Sequence, residues 1–412
     1  MRLGGGSGAR HPARRADVEQ TVREILEDVR TNGDEAVIRL TERFDHAELG
    51  PERLEVDARE IEASIGVLEP EVLAGLRTAI ANVRAVAESQ LREGPAVDLP
   101  EGQRVEIVEM PVDRAAIYVP AGRAPYASSV VMGAATARAA GVREVVVCAP
   151  PGPHGRAHPV ILAACLLCGV GEVYRMGGAQ AIAALAYGTQ SVEPVDVIAG
   201  PGNAYVQEAK RQVAWTHVGI DGVAGPSELA VVAFGEGIDH ELVALDLMAQ
   251  AEHGPDSILW LIAQEDTGEA VIREIERLEP DRPSVTDAEL SVVWARNALN
   301  GIENANRIAP EHVQLVGAEA ERLSDAVRSA GAVFVGAGAA TAFGDYVAGS
   351  NHVLPTGGAA RFQSALSVAT FRPRMARVSL PREAAARLAP AGAALARAEG
   401  FPVHAESMER RA

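Results

Sequence analysis

The sequence predicts an α/β protein with two doubly wound, incomplete Rossmann-like parallel-sheet domains, a helical N-terminal part and a small C-terminal helical segment. Three observations predict this class. Apolar residues recur at helical spacing through the first hundred residues, short β-branched runs then alternate with Ala-rich stretches, and the alternation begins again near Leu229. Strands that alternate with helices are typical of a parallel sheet with helices packed on its faces.

The N-terminal part contains three predicted helices. The first begins at Ala16, carries apolar residues three or four positions apart, and ends at Asn32-Gly33. Asp34 can cap a second helix that runs toward Phe44, and a third helix spans residues 71–90. Because this spacing places the apolar residues of each helix on one face, we expect all three helices to pack on a core.

Two sets of strands follow. The first set of predicted strands covers residues 115–119, 144–148, 173–176 and 195–198. The second set covers residues 229–233, 258–262, 313–316 and 332–335. Ala-rich or amphipathic helices separate the strands in both sets, which favours two parallel sheets. After Phe371 we expect short helices and no strand set.

Composition and charge exclude several classes of protein. The 412 residues are 48% apolar and 23% charged, which is typical of a globular protein and not of a disordered one. The longest apolar run, from Val160 to Cys168, is shorter than the roughly 20 residues that cross a bilayer. The net charge of -18 disfavours nucleic acid and anionic membranes as partners.

The terminal residues and the cysteines favour the cytoplasm. Residues 1–15 are basic and Gly-rich without an apolar stretch, so we expect a flexible tail and no signal peptide. The three cysteines, Cys148, Cys165 and Cys168, cannot form a disulfide framework. Cys165 and Cys168 form a CxxC in an apolar helix, and we interpret both as core residues.

Four late histidines have carboxylate or carboxamide neighbours: His253, His312, His352 and His404. We expect them in loops at strand ends, where functional groups commonly lie. Gln250 and His253 are spaced i, i+3 at a predicted helix end, so their side chains project from one face.

Asp345 and His404 could complete a set of two imidazole nitrogens and two oxygens with Gln250 and His253. Such a set suits zinc or a similar divalent metal. A helix cap with unrelated polar loop residues is the alternative interpretation.

Glu311 and His312 are adjacent and stand just before a predicted strand. Neighbours in a strand point to opposite faces, but the bend at a strand entry can bring both into one cleft. A Glu/His pair supplies two bases of different strength for two proton abstractions. An ordinary pair of loop residues is the alternative.

Three glycine clusters each follow a predicted strand and precede a helix. They are YVPAGRAPY from Tyr118, RMGGAQA from Arg175 and VIAGPGNAYV from Val197. Backbone N–H groups at such turns hold phosphate-bearing ligands, although a single cluster could merely close a βα turn. No strict GxGxxG is present, so the signal depends on three turns at one sheet edge.

Taken together, these segments resemble the histidinol dehydrogenase family from about Ala16 to His404. The matching motifs are IYVPAGRAPYASSVVM, RMGGAQAIAALAYGTQSV, AGPGNAYVQEAKRQV, GIDGVAGPSE, LMAQAEHGPDS, PEH, GDYVAGSNHVLPTGGAARF and EGFPVH. Members of that family oxidise L-histidinol to L-histidine via L-histidinal with two NAD. They are intertwined homodimers with one zinc per subunit, and the active site is shared between subunits.

The resemblance also implies roles for individual residues. It implies Glu311 and His312 as the acid/base pair. It implies metal ligands at Gln250, His253, Asp345 and His404, with His404 supplied by the partner subunit. The implied substrate contacts are these four ligands with Ser227, His312, His352 and Glu399, and the implied NAD contacts are Tyr118, Gln180 and Asn203.

The resemblance implies a division of the chain into four parts. They are the tail over 1–15, a substrate- and metal-binding domain over 16–117 and 222–366, an NAD-binding domain over 118–221, and a C-terminal dimerisation segment over 367–412.

Three alternative functions stay open: a paralogue that oxidises another small polar alcohol such as a sulfonated diol, a non-catalytic homologue, and a metal-dependent hydrolase. The glycine clusters disfavour the hydrolase, which needs no dinucleotide site.

Overall fold

Two parallel sheets and one small antiparallel sheet organise the chain. The computed structural model describes residues 1–4, 15–120, 124–152 and 154–412. The strands are β1 (Arg2–Gly4), β2 (Ala96–Asp98), β3 (Arg104–Glu109), β4 (Arg114–Tyr118), β5 (Glu144–Ala149), β6 (Glu172–Arg175), β7 (Val197–Ala199), β8 (Gly219–Ile220), β9 (Glu228–Ala233), β10 (Ile258–Ala263), β11 (Glu289–Trp294), β12 (His312–Val316), β13 (Ala332–Val335) and β14 (Arg374–Ser379).

Helices fill most of the intervening chain. They are α1 (Arg15–Asn32), α2 (Asp34–Asp45), α3 (Ala58–Ala63), α4 (Pro70–Ser89), α5 (Ala127–Val130), α6 (Thr136–Ala139), α7 (Pro159–Leu167), α8 (Gly178–Tyr187), α9 (Ala204–Val213), α10 (His240–Ala251), α11 (Glu265–Leu278), α12 (Ala298–Ile308), α13 (Ala318–Glu321), α14 (Thr341–Tyr346), α15 (Arg382–Ala398) and α16 (Pro402–Glu409). Among these described helices, none has the length and apolar character needed to span a membrane.

The five-stranded sheet has the order β6-β5-β4-β7-β8, and every pairing in it is parallel. The whole of β4 is buried, because Ala-rich helices cover both faces of the sheet. Near-continuous apolar strands are typical of a parallel sheet that is covered on both sides.

The six-stranded sheet has the order β1-β11-β10-β9-β12-β13 and is also parallel throughout. The predicted α/β class with two parallel sheets is therefore confirmed, and all eight predicted strands are present within two residues of their predicted ends. Residues 2–4 of the predicted flexible tail instead form the edge strand β1. Residues 5–14 of that tail lie outside the described residues.

The C-terminal segment adds one strand to a sheet formed earlier in the chain. We expected no strand set of its own after Phe371, and the single strand β14 pairs antiparallel with β3, which pairs in turn with β2. Every residue of β14 is exposed, so the strand carries no alternating burial that the sequence could reveal. Pairing with β3, about 270 positions earlier in the chain, creates this strand.

The N-terminal helices pack on the five-stranded sheet. The apolar faces of α1 and α2 share a core with the β4 and β5 faces of the five-stranded sheet, and α4 joins the core on the other face. Val22, Leu26 and Leu40 in that core are at most 5% exposed. These helices therefore pack with the 118–221 region, because their apolar faces cover its helices.

Candidate active site

Glu311 and His312 lie at the amino edge of the six-stranded sheet. The chain bends at Glu311, immediately before β12 begins at His312. Ser227 stands at the same edge, just before β9, which pairs with β12. The bend at the strand entry, which the sequence predicted for Glu311 and His312, is therefore present.

Glu228, the first residue of β9, connects this edge to its neighbours. Its backbone N–H donates to Glu311 Oε2 over 2.9 Å. Its own carboxylate accepts the backbone N–H groups of Glu311, at 3.3 Å, and Gly357, at 3.1 Å. Reciprocal bonds of this kind hold the Glu311 carboxyl against the start of β9.

His312 is oriented as a base. Its Nδ1 lies 3.0 Å from the Glu228 carbonyl oxygen. A carbonyl can only accept, so Nδ1 carries the proton and Nε2 keeps a lone pair. Burial lowers the pKa of His312, although the Asp345 charge opposes that shift. The neutral imidazole is thus the form that burial favours.

Glu311 is a stronger base than an exposed glutamate. Burial raises the pKa of its carboxyl well above the usual range, the Glu228 N–H opposes the rise, and the charges of Asp345 and Glu228 add to it. Shifts of this kind are common where a carboxylate must take a proton near neutral pH. The site therefore holds two adjacent bases of different chemistry.

Three of the four predicted metal ligands, Gln250, His253 and Asp345, lie at the same edge. Gln250 is buried in the last turn of α10, and the backbone N–H of His253, just beyond that helix, donates to the Gln250 carbonyl. His253 Nε2 lies 3.7 Å from Asp345 Oδ2. Burial acts to raise the pKa of Asp345, but the hydrogen bond from His253 and the charges of the nearby histidines hold it below its ordinary value.

His352 completes this cluster. Its Nδ1 lies 3.1 Å from the Asp345 carbonyl oxygen, so Nδ1 donates, and its Nε2 lies 3.4 Å from Ser129 Oγ. Burial lowers the pKa of His352, as it does for His312. Burial therefore favours the neutral imidazole of both His312 and His352.

The donor set partly fits a metal. The Gln250 amide nitrogen is buried and has no hydrogen-bond partner among the described residues. The Gln250 amide oxygen, with His253 and Asp345, gives three nitrogen or oxygen ligands of the kind that zinc accepts. No group of three or more His, Cys, Asp or Glu in the described part of the chain is arranged to hold a metal ion.

Two predicted site residues stand apart from this cluster. Glu399 ends α15, and His404 lies in α16, where its ring contacts Phe401. Both are exposed. Within one chain, the structure does not bring either residue to the cavity described below.

The predicted cofactor residues lie at the carboxyl edge of the five-stranded sheet. Tyr118 ends β4, and its hydroxyl accepts the Gly178 N–H at 3.1 Å. Asn203 caps α9 by accepting the N–H groups of Tyr205 and Val206. Residues 121–123 of the Tyr118 turn lie outside the described residues.

This edge fits a dinucleotide. Gly200 has a φ of 125°, and a Cβ there would collide with the Tyr118 carbonyl. The Gln180 side chain is 1% exposed, yet neither of its amide atoms has a partner among the described residues. A buried amide without a partner is costly, so it indicates a site for a polar ligand.

The two edges meet at one cavity. Gly200 and Gly202 contribute to its wall from the five-stranded sheet, and Ser227 and Glu311 contribute from the six-stranded sheet. His352 also lines it. A short linker, residues 221–227, joins β8 to β9 and explains the arrangement, because it passes directly from the carboxyl edge of one sheet to the amino edge of the other.

Sequence reasoning missed three residues of this region. Glu228 belongs to the quoted GPSE motif, but its hydrogen bonds depend on tertiary contacts. Lys210 and Asp221 also line the cavity and form a buried ion pair. A signal for Lys210 was available, because it is the only lysine in the sequence.

A cavity that joins the Gly200 turn of one parallel sheet to Glu311, the neighbour of His312, on another defines a two-sheet α/β enzyme. A family model described as histidinol dehydrogenase matches residues 9–412. The chain belongs to the histidinol dehydrogenase family and is an oxidoreductase of that type, as the sequence motifs predicted.

Individual relatives agree over nearly the whole chain. A histidinol dehydrogenase from Gluconobacter oxydans is 43% identical, over 96% of this chain and 93% of the relative. One from Aromatoleum aromaticum is 44% identical, over 96% and 92%. The crystal structure of histidinol dehydrogenase from Elizabethkingia anophelis is 31% identical and superimposes with a TM-score of 0.90, covering 99% of this chain and 94% of that one.

Proposed function

We propose that this protein oxidises L-histidinol to L-histidine through bound L-histidinal, with two NAD per turnover, as the last step of L-histidine biosynthesis. The observation that carries the proposal is that Glu311, whose carboxylate lies 3.6 Å from His312 Nδ1, lines a cavity shared with the Gly200 turn. Family membership does not favour the alternative of a paralogue that acts on a sulfonated diol or another alcohol.

The regions of the chain take different roles in this proposal. Residues 118–221 hold NAD through Tyr118, Gln180 and Asn203, and residues 222–366 hold the substrate. When bound, NAD⁺ supplies the hydride acceptor, and a zinc ion supplies a Lewis acid that orients the substrate. Gln250, His253 and Asp345 would hold the zinc, with His404 as the fourth ligand.

His312 serves the alcohol oxidation. Its Nε2 takes the hydroxyl proton, because Nδ1 is held by the Glu228 carbonyl. Glu228 thereby sets the tautomer and the ring orientation. Burial keeps the imidazole neutral and ready to accept that proton.

Glu311 serves the second oxidation. An aldehyde must be hydrated before it can give up a second hydride, and a carboxylate with a raised pKa takes a proton from the attacking water. Ser227, His352 and Glu399 hold the substrate while both steps proceed.

The stoichiometry of the reaction tests the proposal. Purified protein should form two NADH for each histidinol consumed, with histidine as the product. One NADH with released aldehyde would contradict it, and turnover of another alcohol without turnover of histidinol would favour the paralogue. In the His253→Ala variant, metal content and activity should both be lost while the fold persists; an unchanged metal content would contradict the ligand assignment.

We also propose a homodimer with shared active sites. In the described chain, α15 and α16 share a small buried cluster, Ala393, Ala396 and Ala405, while Leu395, Phe401 and Val403 expose their side chains. A second copy that covers these side chains could bring its His404 to the Gln250 amide and so supply the fourth ligand. Segment 367–412 would then be the dimerisation segment.

Complementation tests the shared site. Inactive His404→Ala and inactive His253→Ala subunits are mixed and allowed to exchange. A mixed dimer rebuilds one site with all four ligands, so activity should return to about a quarter of wild type at equal random mixing, since roughly half the dimers are mixed. No recovery, with exchange shown by mass labelling, would contradict sharing.

The same proposal places the enzyme in the cytoplasm. All three cysteines are buried free thiols, which suits a reducing compartment. Fractionation of the source cells tests this location.

A further inference from the structure

One buried cation stands out from the rest of the chain. Lys210 is the only lysine among 38 basic residues, and it is 1% exposed. A lysine ammonium is a compact charge with three donors, whereas an arginine guanidinium is a larger planar group. The one position that is not arginine is therefore a position where a small buried cation fits.

Lys210 and Asp221 clamp one peptide unit. The Lys210 ammonium pairs with Asp221 Oδ1 and donates to the Gly200 carbonyl at 3.0 Å. The other oxygen of the same carboxylate, Asp221 Oδ2, accepts the Gly200 N–H at 2.8 Å. Both polar groups of Gly200 are thus bound by this pair, and both charged side chains are at most 4% exposed.

The clamp also reaches the linker between the sheets. Gln363 Nε2 donates to the Asp221 carbonyl at 2.9 Å, and the Ala224 N–H donates to Gln207 Oε1 at 2.8 Å. Since Gln207 and Lys210 both belong to α9, one helix holds the glycine turn and residues 221–224 together. The linker then continues to Ser227 at the other wall of the cavity.

We propose that Lys210, through Asp221, is a positioning residue that fixes the Gly200 turn against the linker and so sets the affinity for the dinucleotide. The inference rests on the proposed use of NAD by this chain. The Gly200 backbone keeps the one orientation that lets its turn approach a phosphate, and the clamp holds that orientation without Lys210 itself contacting the ligand.

Calorimetric titration with NAD⁺ tests the proposal without turnover. Lys210→Met should weaken NAD⁺ binding by roughly tenfold or more, because small displacements of a binding turn are costly. Lys210→Arg, which keeps the charge but not the size, should also weaken it. Histidinol affinity should change less, since the clamp binds Gly200 directly and Ser227 only through the linker.

A matched control separates positioning from general stability. Arg114 is a second buried cation, 8% exposed, that pairs with Glu144 and Glu172 at the opposite, amino edge of the five-stranded sheet. Arg114→Met should lower Tm as Lys210→Met does, but leave NAD⁺ affinity unchanged. Equal losses of NAD⁺ affinity in both variants would reduce Lys210 to a structural role and overturn the proposal.

Asp221→Asn decides between positioning and direct phosphate binding, and it replaces Lys210→Met if that variant does not fold. If the clamp positions the turn, breaking it from the Asp221 side should also weaken NAD⁺ binding. If Lys210 instead binds phosphate, freeing its ammonium should leave binding equal or tighter, and the proposal fails. Wild-type protein that binds NAD⁺ without oxidising histidinol would contradict the proposed function and leave this inference intact.

Discussion

The two sheets differ in the groups that they bring to the candidate site: one offers backbone groups and the other offers side chains. The five-stranded sheet presents its carboxyl edge, where glycine-rich turns offer backbone groups. The six-stranded sheet presents its amino edge, where Ser227, Glu311 and His312 offer side chains. Functional residues usually lie at the carboxyl ends of parallel strands. The comparison shows that a second parallel sheet in the same chain can carry them at the amino ends instead.

The linker gives the physical reason for this asymmetry. Two parallel sheets joined end to end by a short connection must place the carboxyl edge of the first against the amino edge of the second. Residues 221–227 make that connection, and the Lys210–Asp221 pair anchors its start. The first edge suits a ligand with phosphates, and the second suits proton transfer.

Substitutions of Glu311 and His312 should give the largest effect. They should lower the rates of the oxidation steps and leave NAD⁺ affinity unchanged. His312→Asn should slow alcohol oxidation, and Glu311→Gln should slow oxidation of supplied histidinal, each by about 10²–10⁴. NAD⁺ affinity should stay unchanged, because neither side chain belongs to the glycine edge. Rapid-mixing measurements of NADH with each substrate check this. If both variants impaired only alcohol oxidation, the assigned division of labour would be wrong.

Adding a methyl group at Gly200 should give an effect of intermediate size. It should weaken NAD⁺ binding and lower stability. Gly200→Ala places a Cβ against the Tyr118 carbonyl at a φ of 125°, so we expect about 1–3 kcal/mol of lost stability and weaker NAD⁺ binding. Gly171→Ala is the control, since no atom lies within 4 Å of a Cβ there. Urea unfolding and calorimetry measure both quantities. Unchanged NAD⁺ affinity in Gly200→Ala would remove this turn from the cofactor site.

The smallest effect should come from Asp45, a half-buried carboxyl near Tyr118. Burial raises the pKa of Asp45 to about 6. Because the folded state binds that proton more tightly than the unfolded state, this group's contribution to stability falls as pH rises from about 4 through 6. Asp45→Asn should therefore gain stability relative to wild type at pH 7.5, and gain less at pH 4.5.

Urea unfolding at the two pH values checks the Asp45 prediction. Glu42→Gln, on the exposed face of the same helix, removes a carboxylate without relieving a buried charge. An equal effect of Asp45→Asn at both pH values would show that burial does not govern this carboxyl.

Much of the fold and part of the site were predictable from local signals. Glycine turns were predictable because backbone geometry restricts the residue type, as at Gly200. Glu311 and His312 were found because they are adjacent. The strand β14 was not predicted, since an exposed strand that pairs across a long sequence separation lacks a burial pattern.

The remaining site features depend on tertiary structure. Glu228 controls the His312 tautomer through its carbonyl, a group that every residue has. The carboxyl edge of one sheet meets the amino edge of the other because of the path of the linker, residues 221–227. No local sequence pattern predicts that path. Lys210 was recognisable as unusual, but its role emerged only from the contacts of its ammonium.

A structure of the Glu311→Gln variant with NAD⁺ and histidinol tests directly whether opposite edges of the two sheets bind the two ligands. We expect the dinucleotide phosphates on the Gly178 and Gly200 turns, at the carboxyl edge of the five-stranded sheet. We expect the histidinol hydroxyl within hydrogen-bond distance of His312 Nε2, at the amino edge of the six-stranded sheet. Dinucleotide phosphates at the carboxyl ends of β9 and β10 would contradict this expectation.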